Sequence, residues 1–298
     1  MNKIINADAL EAMRTLPDSC CRTCITSPPY YGLRDYGTAG QIGLEDTPDQ
    51  YIENLVKIFR EVRRVLKDDG TLWVNIGDSY TQKNLNGIPW LLAFALRSDG
   101  WYLRSDIIWQ KPNAMPESVK DRPTRAHEYI FLLSKSPRYY YDAEAVKEPA
   151  VGFYNAAPAG SAGTGKPNAR RRGNSRTFRG GGAYTHDRAQ NNSSTVERES
   201  HGLAPNESGK RNRRDVWTIA TRPYKGAHFA TFPEELVRPC ILAGSRPSDT
   251  VLDPFAGSGT TGAVAAQEGR DFIGIEINPE YCNIIKQRIE RGKNDCSK

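Results

Sequence analysis

The stretch from Thr250 to Gly262, "TVLDPFAGSGTTG", restricts the chain to few folds. A short apolar run meets an acid, then a glycine-rich turn, then small residues that open a helical pattern. That order is a strand feeding a tight turn feeding a helix, the unit from which parallel α/β sheets are assembled. The rest of the chain follows the same scheme on both sides of residues 142–214. Before them, "TPDQYIENLVKIFREVRRVLKDDG" carries a helical stripe at Ile52, Leu55, Val56, Phe59, Val62 and Leu66. Thr47 suits its cap, Pro48 its first turn and Gly70 its end. Strand-like "TLWVNIG", helical "GIPWLLAFALRSDG" and strand-like "WYLRSDIIWQ" and "HEYIFLLSK" follow. After them come a helix "FPEELVRPCILAG", the glycine-turn unit, a strand "DFIGIEI" and a helix "PEYCNIIKQRIE". The pattern predicts a doubly wound, mostly parallel α/β sheet covered on both faces.

Residues 142–214 break this order. They are rich in Gly, Asn, Ser and Arg and show no sustained period. Between Ala150 and Arg214 stand twelve Lys and Arg against four Asp and Glu, a surplus of eight, whereas the whole chain carries +6. The positive charge therefore lies in this insertion, and a polyanion is its natural partner. Tyr154, Phe178 and Tyr184 are interleaved with Arg170, Arg171, Arg172, Arg176 and Arg179, which makes these arginines the candidate residues for binding it. The segment is expected to order only on its partner. Three parts result: a first half at 1–141, the insertion at 142–214 and a second half at 215–298.

Composition removes other classes. The longest apolar run, around "PWLLAFAL", is far too short to cross a bilayer, and no signal-peptide stretch opens the sequence. Six cysteines in 298 residues do not make a disulfide framework, so a reducing cytoplasm is the expected location. Cys21 and Cys24 form one CxxC without a second ligand pair, so no metal is expected.

The chemistry is carried by two motifs. At the glycine turn, Gly257, Gly259 and Gly262 satisfy G-x-G-x-x-G, but no Gly-Lys-Ser/Thr follows, which excludes a nucleoside-triphosphate loop. Glu276 ends the next strand, where a carboxylate can accept hydrogen bonds from ribose hydroxyls of NAD or of S-adenosylmethionine. The acid and proline of "DPFAGSG" favour S-adenosylmethionine. Asp253 can meet that cofactor's cationic amino group, and Phe255 can cover its apolar parts. The second motif is "CITSPPYY", a strand run that stops on Ser27, Pro28, Pro29 and Tyr30. An amino group on cytosine or adenine is a poor nucleophile, because its lone pair is delocalised into the ring. Ser27 Oγ and the Pro28 carbonyl can accept its N–H bonds and localise that pair toward an electrophilic methyl. The prolines hold these acceptors rigidly, and the Tyr30 ring offers a face to a base taken out of the duplex. No metal or covalent nucleophile is needed.

Together these motifs resemble the amino-methylating DNA methyltransferases, which act on cytosine N4 or adenine N6. "IIWQKPNAMPESVKDRPTRAHEYIFLLSKSPRYYYD" and "KGAHFATFPEELVRPCI" are similar to further segments of that family. The order of catalytic motif, variable region and cofactor motif is similar to its permuted beta class. The resemblance implies a permuted class I S-adenosylmethionine-dependent methyltransferase fold with a target-recognition insertion. It implies double-stranded DNA as substrate, and leaves open a homodimer and a cognate restriction endonuclease as partners. It places Ser27, Pro28, Pro29 and Tyr30 in the catalytic loop, and Asp253, Phe255, Gly257, Gly259 and Glu276 at the cofactor. It also places Asp8 at the cofactor's adenosine end, although Ala7 precedes it where the family commonly has Gly. His228, Phe229 and Phe232 match a segment closing over the methionine part. A serine-headed motif leans toward cytosine N4, with adenine N6 the alternative and a nicotinamide oxidoreductase or a silent DNA-binding module more distant. Pro239-Cys240 resembles the nucleophile of cytosine-C5 enzymes, but Cys240 falls on the apolar side of a helix and reads as core. His127 reads as structural or DNA-facing rather than as a base.

Overall fold

A computed structural model describes residues 2–35, 37–38, 40–150, 209–222 and 232–295. Its elements run β1 (Lys3–Asn6), α1 (Ala9–Arg14), β2 (Cys21–Thr26), α2 (Pro48–Val65), β3 (Leu66–Ile76), β4 (Tyr80–Thr81), β5 (Asn84–Leu85), α3 (Ile88–Ser98), β6 (Tyr102–Gln110) and β7 (His127–Ser134). They continue with β8 (Glu148–Pro149), β9 (Lys210–Arg211), β10 (Val216–Thr218), α4 (Glu234–Gly244), β11 (Thr250–Asp253), α5 (Thr260–Gln267), β12 (Asp271–Glu276) and α6 (Pro279–Asp295). The chain forms two compact units, one of residues 1–147 with 212–298, the other of 148–211. Within the described part of the second unit, β8 and β9 pair antiparallel.

The first unit is built on an eight-stranded sheet in the order β1-β12-β11-β2-β3-β7-β6-β10. Every pairing is parallel except those of β7, which runs antiparallel to β3 and to β6. Because strand side chains alternate between faces, each central strand feeds two cores. Cys24, Leu72, Val74 and Leu252 join one core with Met13, Leu55, Phe59 and Leu92. Ile25, Trp73 and Val251 join the other with Leu236, Ile241, Val264 and Ile285. The sheet is thus doubly wound, as the strand–helix alternation requires.

The predicted cap holds: Thr47 Oγ1 accepts the Gln50 amide at 3.3 Å, and Pro48 opens α2. The predicted end does not. Strand β3 begins at Leu66, directly after Val65, and Gly70 lies inside it. A side chain at Gly70 would come within 2.9 Å of the carbonyls of Arg22 and Lys67, so its glycine answers close strand packing, not helix termination. Among the described residues no helix is long and apolar enough to cross a membrane.

The order of the sheet fixes where a ligand can sit. Chain connections run outward in one direction from β2 and in the other from β11, and these two strands are neighbours. The crevice beyond their carboxyl ends is the switch point at which open α/β sheets bind ligands.

Candidate active site

Both motifs end at that switch point. Strand β2 delivers Thr26 and Ser27, and β11 delivers Asp253 beside them. Thr26 Oγ1 donates to Asp253 Oδ1 at 2.6 Å, which ties the two halves of the chain together. Asp253 also accepts from the Phe255 amide at 3.1 Å and from Thr261 Oγ1 at 2.7 Å. Only 1% of it is exposed, and burial pushes its carboxyl up to about 7 despite these three donors. Asp253 therefore braces the turn from beneath, with its two oxygens directed at Thr26, Thr261 and the loop backbone.

The three glycines have three different reasons. Gly257 adopts φ +52°, and a Cβ there would meet only the Phe255 carbonyl at 3.9 Å, so open space lies next to it. Gly259, at φ +83°, precedes α5 and lies so close to α6 that a Cβ would be 3.0 Å from Ile285. Gly262 faces Phe272, where a Cβ would be 2.7 Å from the ring. Gly257 thus has open space beside it, whereas Gly259 and Gly262 answer close packing against α6 and β12.

Glu276 stands at the carboxyl end of β12, next to this space. Its Oε2 accepts the Gly257 amide and its Oε1 the Asn278 amide, each at 2.8 Å. Burial raises its pKa. Each oxygen keeps a further lone pair, as bonds to ribose hydroxyls require. Strand β1 pairs with β12 so that Asn6 lies opposite Glu276, which brings Asp8 to the same edge. Asp8 Oδ1 caps α1 by accepting the Glu11 amide at 3.0 Å. Phe255 is half-buried against the first core. Phe232 lines a small cavity with Ile25, Thr26, Asn75 and Cys240, behind the end of β2. His228 and Phe229 lie outside the described residues, as do Arg170, Arg171, Arg172, Arg176 and Arg179.

At the second motif, the Pro29 carbonyl accepts from Tyr51 Oη at 2.7 Å, which anchors the corner to α2. The Tyr30 hydroxyl turns inward and donates to Glu128 Oε2 at 2.7 Å. Asn75 Nδ2 donates to Tyr30 Oη at 2.8 Å and to Glu128 Oε2 at 3.0 Å, with a longer contact of 3.4 Å to Ser27 Oγ. Lys111 Nζ pairs with Glu128 Oε1. Burial, then the Glu128 charge, holds the Tyr30 phenol well above its usual pKa, so it stays a neutral donor. The Tyr30 ring lies over Gly77, where a Cβ would come 2.7 Å from Cε2. Asn75 and Glu128 carry no motif of their own. The only signal for Glu128 is an acid at the head of the otherwise apolar run "YIFLL". His127 packs edge-on against Tyr129 at 5.3 Å, and burial lowers its pKa.

Cys240 is buried in α4, its thiol donating to the Leu236 carbonyl at 3.4 Å, and burial pushes its pKa upward. A nucleophilic thiolate is disfavoured there.

The model of the N6/N4 DNA methylase family matches residues 21–287. The chain is 46% identical to the type II methyltransferase M.Cfr9I of Citrobacter freundii, over 96% of this chain and 87% of the relative. It is 46% identical to M.SmaI of Serratia marcescens, over 97% and 91%. Its fold is similar to the PvuII DNA methyltransferase (cytosine-N4-specific) at a TM-score of 0.66 and 20% identity, covering 99% and 93% of the two chains. It is also similar to TTHA0409 of Thermus thermophilus, solved in complex with S-adenosyl-L-methionine, at a TM-score of 0.61 and 24% identity, covering 98% and 96%. The nicotinamide reading of the glycine turn falls with these matches. The open space at Gly257 and the spare lone pairs of Glu276 fit the S-adenosylmethionine that this family uses. A sheet that joins a Ser-Pro-Pro-Tyr corner to this turn through Thr26 and Asp253 is thus the framework of a DNA methyltransferase, and the chain belongs to the N6/N4 DNA methylase family.

Proposed function

We propose that the chain methylates the N4 amino group of cytosine at a specific site in double-stranded DNA. The observation that carries this choice of base is Ser27, a neutral hydroxyl at the head of the catalytic loop, the residue that in this family leans toward cytosine. The target base leaves the duplex, and its ring rests on Tyr30. Ser27 Oγ and the Pro28 carbonyl accept from its amino group and localise the lone pair. Pro28 and Pro29 keep the two acceptors from relaxing. S-adenosylmethionine, when bound, supplies an electrophilic methyl group. Glu276 holds its ribose, Asp8 its adenosine end and Gly257 lets it approach the turn. Phe255, His228, Phe229 and Phe232 cover it, and Asp253 keeps the turn in place with a field that favours a cation. Gly259 acts through packing. The proton leaves the amino group to solvent after transfer.

Residues 142–214 recognise the site, with Arg170, Arg171, Arg172, Arg176 and Arg179 on phosphates and guanine edges. The type II names of the relatives suggest a cytoplasmic enzyme paired with a restriction endonuclease. Incubation of plasmid DNA with the enzyme and labelled cofactor, followed by nucleoside mass spectrometry, tests the choice of base. N4-methylcytosine is expected. N6-methyladenine would overturn the base assignment, and 5-methylcytosine would overturn the amino-transfer chemistry itself.

A further inference from the structure

Between the end of β6 and the start of β7 lies the segment 111–126, on the sheet edge that carries Ser27 and Tyr30. Just past its first turn stands Met115, 84% exposed, more than any other large apolar side chain among the described residues. A single apolar residue in water needs no explanation by itself. What sets Met115 apart is how firmly it is mounted. The Lys111 amide donates to the Ala126 carbonyl at 2.8 Å and closes the base of the segment. The Ala114 amide donates to the Lys111 carbonyl at 3.2 Å and forms the turn. Asn113 clasps Thr221 twice, Nδ2 donating to its carbonyl at 3.0 Å and Oδ1 accepting its amide at 2.9 Å. Pro112 stands within the turn and Pro116 directly follows Met115, and each fixes its own φ. At the root, Lys111 Nζ pairs with Glu128, which holds Tyr30.

The segment carries Lys111, Lys120, Arg122 and Arg125 against Glu117 and Asp121, and Arg122 pairs with Glu117. Lys120 is exposed. Arg122 and Arg125 lie over the Tyr80 ring, 4.2 and 5.7 Å from its centre, and Arg125 also reaches Asp78 at 3.6 Å. An exposed apolar side chain on a braced segment that also carries the exposed Lys120, and that is joined through Lys111 and Glu128 to the residue on which the base stacks, matches a wedge that enters a base stack while a neighbouring cation holds a phosphate.

We infer that the segment 111–126 is a second DNA-contacting element, and that Met115 fills the place the target base leaves in the duplex. This rests on the reading that the base is taken out of the stack. Met115 occupies the gap and keeps the base from returning; Lys120 neutralises a phosphate beside it. The methionine suits this work because its unbranched thioether fills irregular space.

The test compares two duplexes of the site found in plasmid DNA. One is fully paired; the other has an abasic position opposite the target base, so that no pairing must be broken. Met115→Ala is expected to lose about tenfold in kcat/KM on the paired duplex, and less than about twofold on the abasic one, since only the former needs the wedge. Met115→Leu should keep the wild-type rate on both. Equal losses on the two duplexes, or no loss by Met115→Ala on the paired one, would overturn the assignment. Failure of the methyltransferase reading would look different: the wild-type enzyme would modify neither duplex.

Discussion

Tyr30→Phe removes one oxygen and leaves the ring. If stacking were the whole contribution of this residue, the change would be mild. The structure assigns the hydroxyl a second task. It donates to Glu128 Oε2 at 2.7 Å and accepts from Asn75 Nδ2 at 2.8 Å, within a part-buried network. A hydrogen bond to a charged partner contributes about 1.5–3 kcal/mol, and here its loss also strips Asn75 of an acceptor. Lys111 and Asn75 still satisfy Glu128 in part, so the lower end, about 1.5 kcal/mol, is the expected loss of stability. The ring, which lies against Gly77, then gains freedom at the point where the base must settle. A misplaced stacking face lowers turnover by about tenfold for each 1.4 kcal/mol of lost positioning. Urea unfolding and single-turnover methylation should therefore both report the change, with cofactor affinity by calorimetry unaltered. Stability within about 0.5 kcal/mol of wild type, together with unchanged turnover, would refute the reasoning and return Tyr30 to stacking alone.

Two further outcomes follow from the geometry and a third from the charge of the insertion. Asp253, with its folded carboxyl near 7, favours the protonated form, so its contribution to stability is present in acid and is lost as pH rises from the ordinary carboxylate range through about 7. Asp253→Asn should gain on wild type by about 3 kcal/mol between pH 5 and pH 8 in urea titrations of the cofactor-free protein, and parallel pH dependences would reject this. Glu276→Ala should weaken S-adenosylmethionine binding tenfold or more, because it removes the ribose acceptor and frees the Gly257 and Asn278 amides; equal calorimetric affinity in a folded variant would contradict the site. Replacing Arg170, Arg171 and Arg172 by alanine should lower DNA affinity and flatten its salt dependence by about 0.9 per lost phosphate contact, with an unchanged slope marking them as bystanders.

How far the sequence reached depended on whether a residue's role was local. The Thr47 cap, the strand "TVLDPF" and the Ser-Pro-Pro-Tyr corner are contiguous signals, and each stands where its pattern placed it. Gly70 misled, because a glycine after a helical stripe is the usual stop, whereas here close strand packing demanded it. Gly259 shared a spacing with Gly257, yet only the tertiary contact with Ile285 tells their tasks apart. Glu128 and Asn75 were not legible. They meet Tyr30 from β7 and β3, at 98 and 45 residues' separation, and the antiparallel run of β7 that brings Glu128 to this edge has no marker in the chain. Asp253 reads in the sequence as an acid facing the cofactor's amino group, whereas its bonds to Thr26 and Thr261, and hence its burial, depend on which strand lies beside β11.

The central claim is that methyl transfer is driven by acceptors on the β2 corner while the cofactor is held by the β11–β12 edge. Single-turnover methylation by Ser27→Ala at saturating S-adenosylmethionine tests it most directly. The account predicts a rate lowered by about a hundredfold, the scale of losing one preorganised polar group, with cofactor affinity equal to wild type. A full rate in the folded variant, or a loss explained by weaker cofactor binding alone, would contradict it.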